Sequence, residues 1–84
     1  MYNLIIQTSA EKFLKKLDKK NQERILNKFE DLKKNPELGV PLTGNLAGLW
    51  KLRIGDYRAI YQIKNSELLI FILRVGHRKN IYQE

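Results

Sequence analysis

The 84-residue chain has no cysteine, which excludes disulfide cross-links and any thiolate nucleophile or ligand. It has one histidine, His77, and few clustered acids, so no ligand set for a dedicated metal is expected and no cofactor is called for. Negative charge is scarce: nine Asp and Glu stand against sixteen Lys and Arg, a formal net charge of +7. That balance favours an anionic partner such as nucleic acid, a membrane surface or an acidic protein, without choosing among them. The opening "MYNLIIQTSAEKF" has only a short apolar run and no basic segment ahead of it, so neither a signal peptide nor a membrane span is expected there, and a cytoplasmic protein is the default. A chain of this length supports one hydrophobic core. The expectation is a single domain over residues 1–84, with any chemistry in an open groove instead of an enclosed cavity.

What is present reads as an α+β fold. Tyr2 to Thr8 is short, partly β-branched and bounded by polar residues, the signature of a strand. Thr8 and Glu11 fit a capping box at the start of a helix whose apolar stripe is Phe13, Leu14 and Leu17. Asp18 and Asn21 suit the start of a second helix, in which Ile25, Leu26, Phe29 and Leu32 recur at three- and four-residue spacing until Asn35-Pro36. The lysines crowding both helices read either as a solvated face or as a surface that attracts phosphate without specificity. Glu37 to Gly48 is a loop by its Gly and Pro content. Three strand-like runs follow, Leu49 to Ile54, Tyr57 to Ile63 and Leu68 to Val75, with hairpin-length separators at Gly55-Asp56 and Lys64-Asn65-Ser66. The expected architecture is an N-terminal strand and a two-helix hairpin packed on a curved, mainly antiparallel sheet of about four strands. The first strand joins at an edge, and the last run, apolar on both faces, lies in the interior.

The hairpin "WKLRIGDYR" concentrates the chemistry. Period-two alternation puts Trp50, Leu52 and Ile54 on one face and Lys51 and Arg53 on the other. A two-residue Gly55-Asp56 turn sets Arg53 opposite Arg58, and Trp50 opposite Tyr61 as a packing pair. Opposed cations repel, so an anion separates them, the strand is bulged, or the side chains simply extend into water. Past the last strand, His77, Arg78, Lys79 and Tyr82 add a second basic cluster with a ring. In a meander this cluster returns to the Gly55-Asp56 turn. Cations beside an aromatic suit single-stranded RNA, with phosphate on the charges and a base on the ring.

"WKLRIGDYRAIYQI" followed by "ILRVGHRKNIY", behind a strand and a helix pair, resembles the RelE/ParE superfamily of toxins from type II toxin–antitoxin systems. The resemblance spans essentially the whole chain and is strongest from Leu49 to Tyr82. It implies a RelE-like fold, a cognate small acidic antitoxin that covers the toxin, and operator DNA reached only through that antitoxin. The RelE branch implies metal-independent cleavage of messenger RNA on the ribosome, by attack of a ribose 2′-hydroxyl on the adjacent phosphate. The ParE branch implies inhibition of DNA gyrase without nuclease chemistry. A degenerate member acting only in a repressor complex is a third reading.

On the RelE reading, Lys51 and Arg53, Arg58, Arg78 and Tyr82 match in turn the basic pair, the next-strand arginine, the arginine after the last strand and the nearby tyrosine of the family's RNase site. Arg58 and Arg78 would grip phosphate oxygens. Lys51 would be the base, and Tyr82 would stack on a nucleobase or position the nucleophile. Lys79, with Lys51 and Arg53, would bind RNA. The second basic position is Arg53 where the best-known pattern has lysine, and arginine cannot serve as a base. His77 is therefore a further candidate acid or base, since an imidazole exchanges protons near neutral pH.

Overall fold

The computed structural model describes residues 1–78. Strand β1 (Asn3–Ile6) leads into helices α1 (Thr8–Lys15) and α2 (Lys19–Lys34), a 3₁₀ turn at Pro36–Leu38 and a short strand β2 (Val40–Pro41). After a second 3₁₀ turn, β3 (Trp50–Ile54), β4 (Tyr57–Lys64) and β5 (Leu69–His77) complete the order. The five strands form one sheet ordered β1-β5-β4-β3-β2. Only the β1–β5 pair is parallel; the other neighbours are antiparallel. The expected α+β architecture is therefore present, with five strands in place of about four. The additional one is β2, where Val40 and Pro41 pair with Lys51 and Trp50. Proline lacks a ladder donor and tolerates only an edge, which is why a two-residue strand inside a Gly/Pro loop carries so little signal.

Helix α1 does not begin on the expected box. Its N-cap is Gln7 and no side chain caps it. The Gln7 N–H donates to the Ile72 carbonyl, and the Gln7 carbonyl accepts from the Glu11 N–H, both at 2.9 Å. The last ladder bond of the sheet thus hands the chain directly to the first bond of the helix, leaving Thr8 already inside it. Helix α2 starts after Asp18 as expected, with Asn21 Nδ2 donating to Asp18 Oδ1 at 2.7 Å.

One face of the sheet carries the core. Ala10 and Leu14 of α1 and Ile25, Phe29 and Leu32 of α2 pack on Leu52, Ile54, Tyr57, Ala59, Tyr61, Ile70, Ile72 and Val75. The alternation in β5 is kept in phase by a bulge. Ile60 pairs with Arg74 but Tyr61 pairs with Ile72, so Leu73 is the extra residue. The bulge turns both Val75 and Ile72 inward and accounts for a run that is apolar at successive positions. Strand β5 starts at Leu69 because Leu68 takes a left-handed φ of 53° at the end of the 3₁₀ turn Asn65–Glu67. Among the described residues, no helix is long and apolar enough to cross a membrane.

Candidate functional site

Register assembles the strand cations. Arg53 is the direct partner of Arg58, and Lys51 the partner of Ile60. Their Cα atoms lie about 4.5–5.5 Å apart across the pair, and Lys51 is two residues from Arg53 along β3. All three project from the face that carries no helix, because their neighbours Leu52, Ile54, Tyr57 and Ala59 are buried against the helices. On its other side Arg58 pairs with Gly76, which has no side chain to compete for the space beside the guanidinium.

These groups line an open groove of about 400 Å³. One wall is Lys51, Arg53 and Arg58 with Leu52; another is the Leu38–Gly39–Val40 segment; α2 contributes Lys28. Four of the described lining side chains are cationic and none is acidic, so the groove concentrates positive potential at one place on a basic protein. Among the described residues, no group of three or more His, Cys, Asp or Glu side chains could hold a metal ion.

The loop wall is fixed by a buried tyrosine. Tyr61 Oη donates to the Pro36 carbonyl at 2.7 Å and accepts from the Gly39 N–H at 3.0 Å. Burial raises the Tyr61 hydroxyl above its ordinary pKa of 10.0, the Gly39 hydrogen bond opposes this, and the charge of Glu37 adds to it. Gly39 passes so close to β3 that a β-carbon there would meet the Lys51 carbonyl oxygen and lie 2.8 Å from Tyr61 Oη. The Trp50 and Tyr61 rings stack as the hairpin register requires, with centroids 6.1 Å apart and planes at 25°.

The other expected site residues divide. Arg78 does return to the hairpin turn, its N–H donating to the Asp56 carbonyl at 3.0 Å. Its Nε is buried without a hydrogen-bond partner among the described residues, a state that suits a guanidinium awaiting an anion. His77 lies on the opposite face of β5 from Arg58's neighbour Gly76. Its ring packs 5.0 Å from Tyr57 and 5.9 Å from Phe13, so the structure does not bring it into the groove. Lys79 and Tyr82 lie outside the described residues. From the sequence, Lys28 reads only as one of the many helix lysines that form a solvated or phosphate-attracting face; Gly39 and the anchoring role of Tyr61 were not foreseen. What sets Lys28 apart is that it immediately precedes the core residue Phe29, on the flank of the buried stripe.

Comparison with known proteins identifies the family of the chain. The profile described as "ParE toxin of type II toxin-antitoxin system, parDE" matches residues 4–82. Toxin RelG of Mycobacterium tuberculosis is 36% identical over 84 residues, covering 98% of this chain and 97% of RelG. The crystal structure of the M. tuberculosis toxin–antitoxin complex RelBE2 contains a chain that superimposes with a TM-score of 0.85 at 34% identity, covering 94% of this chain and 93% of that one. The archaeal RelE–RelB complex from Pyrococcus horikoshii gives 0.76 at 30% identity, with 94% and 97% covered.

Proposed function

Since the chain belongs to the RelE/ParE superfamily and is a type II toxin, we propose that it is a ribosome-dependent endoribonuclease that cleaves messenger RNA and is held inactive by an acidic antitoxin. The observation that carries this reading is the gathering of Lys51, Arg53 and Arg58 in one open groove without an acid among its described lining residues. A cluster of this charge suits an anion, and a phosphodiester is one.

The bonds that form and break all lie within the RNA. A ribose 2′-oxygen attacks the adjacent phosphorus, the bond to the 5′-oxygen breaks, and the products are a 2′,3′-cyclic phosphate and a 5′-hydroxyl. One proton leaves the 2′-hydroxyl and one reaches the departing oxygen. Arg58 and Arg78 are assigned to the phosphorane oxygens, where fixed cations stabilise charge that grows in the transition state. A guanidinium offers two parallel donors for that purpose. Lys51 is assigned the 2′-proton, as the groove's strand cation able to exist as a neutral amine. Arg53 holds the neighbouring backbone. Tyr82 and Lys79 are assigned to the base and the outgoing strand. The aromatic packing of His77 leaves it no direct reach to the phosphate, so the proton for the departing 5′-oxygen is assigned to solvent water. The ribosome supplies the in-line alignment that an open groove on a small protein cannot impose by itself.

Incubation with translating ribosomes, followed by mapping of transcript ends, tests this. New cuts in the decoding site with cyclic-phosphate termini are expected; their absence sinks the reading. The profile match carries the ParE description, which favours gyrase inhibition as the second reading. Trapped gyrase–DNA breaks in place of transcript cuts would establish it. A chain that causes neither, and shows no toxicity, acts only in a repressor complex.

A further inference from the structure

The groove does not stop at the strand cations. Strand β2 covers β3 only at Trp50 and Lys51, so from Leu52 onward the outer edge of β3 has no strand beside it among the described residues. The gap between that edge and α2 is where Lys28 enters the groove. One helical turn earlier, Arg24 lies over the β3–β4 turn: a β-carbon placed on Gly55 would sit 2.9 Å from its Nη1 and 3.1 Å from its Cζ. Arg24 and Lys28 are four residues apart, about 6 Å along the axis, and each immediately precedes a core residue, Ile25 or Phe29. They therefore form a cationic row along the flank of α2 that faces the free edge. The row ends at Asp31, which shares that flank one turn on and would repel an anion.

Resting on the RNA-cleavage reading, we propose that Lys28 and Arg24 are a second phosphate-binding wall, holding the RNA strand after it leaves the Lys51–Arg53–Arg58 cluster and crosses the free edge of β3. The path runs toward the N-terminal half of α2, away from Asp31. These are positioning residues: they transfer no proton and touch no reacting atom. Their contribution is to fix the direction of the strand, which an isolated phosphate site cannot do.

The test is equilibrium binding of 2′-O-methylated oligouridylates, which cannot be cleaved, of about three and about ten nucleotides. Lys28→Ala, Arg24→Ala and the double variant are compared with Lys15→Ala on α1, which removes the same charge away from the groove. For the longer probe, the slope of log affinity against log salt should shrink by about 0.7 for each side chain removed. The shorter probe should be indifferent, and thermal melting should be unchanged. The inference is overturned by slopes equal to those of Lys15→Ala, by absence of binding to either probe, or by variants that lose binding to a decaglutamate peptide while keeping RNA. The ribosome cleavage map separates the two readings. Wild-type cutting with unaltered variant binding removes this wall alone, whereas absent cutting removes the nuclease reading whatever α2 does.

Discussion

The two faces of the β3–β4 hairpin are built from alternating residues of the same nine-residue stretch and obey opposite rules. On the covered face, Leu52, Ile54 and Tyr57 are buried, and no buried polar or charged residue occurs among the described ones. On the open face, Arg53 stands directly opposite Arg58 with Lys51 beside them. Burial of a side chain such as Ile54 stabilises by about 1.5–3 kcal/mol, whereas opposed like charges cost roughly 0.2–1 kcal/mol. The covered face therefore outweighs the open one, and the sheet can hold cations in a repulsive arrangement that folding alone would not select. Stability and ligand chemistry are separated by a single step along the strand.

The sharpest way to break this contrast is a pair of substitutions four residues apart. Ile54→Ala should lower unfolding free energy by about 2–5 kcal/mol, read from a denaturant midpoint, and lose toxicity through unfolding. Arg58→Ala, at a half-buried position, should cost only about 1 kcal/mol yet reduce ribosome-dependent cleavage by roughly 10²–10³-fold, the range for removing one transition-state donor. If Arg58→Ala unfolds the protein as thoroughly as Ile54→Ala, the open face is structural and the division fails.

A smaller effect is expected where the two faces meet. Gly39 has a φ of −85°, open to any residue, so its requirement is space. An added methyl would press at once on the Lys51 backbone, beneath the open face, and on Tyr61, in the core. Gly39→Ala should cost about 1–3 kcal/mol as overpacking and widen the groove, so that nuclease activity falls in material that is still folded at low temperature. Unchanged melting with unchanged cleavage would mean the loop is free to drift and does not define the wall.

Much of this division was legible in the residues. Period two in Trp50 to Ile54 and the Gly55-Asp56 turn fixed both the opposition of Arg53 to Arg58 and the Trp50–Tyr61 stack, because a two-residue hairpin leaves one register open. The helix stripe gave Ile25, Phe29 and Leu32 as core, whereas Leu26, read in the same stripe, is exposed. Other features were not legible, for definite reasons. His77 adjoins Arg78 in sequence but alternation sends it to the other face of β5, where its exposed ring rests against Phe13 and Tyr57. The Thr8 box yielded to a ladder bond from Gln7 to Ile72, a tertiary contact with no local signature. Lys28 joined the groove only because β2 stops short of Leu52, which depends on how the Gly/Pro loop runs. The fold was thus readable from local rules, while the extent of the site depended on where one strand ends.

The weakest perturbation reaches the open face through a single covered hydroxyl. Tyr61→Phe keeps the ring and its stack on Trp50 but removes the oxygen joining the Pro36 carbonyl to the Gly39 N–H. A loss of about 1 kcal/mol is expected at neutral pH. The wild type should show an additional dependence that the variant lacks. Because the folded hydroxyl ionises above 10.0, the unfolded chain releases this proton first as pH rises. The Tyr61 contribution is then complete below pH 10 and declines from pH 10 up to the folded pKa, by at most about 1.4 kcal/mol per pH unit. Subtracting the variant's stability curve removes the titration of the lysines and the remaining tyrosines, so the difference isolates this group. A flat difference through pH 11 would show that the hydroxyl is as accessible folded as unfolded, and that the wall beside Lys51 is held by β2 pairing instead.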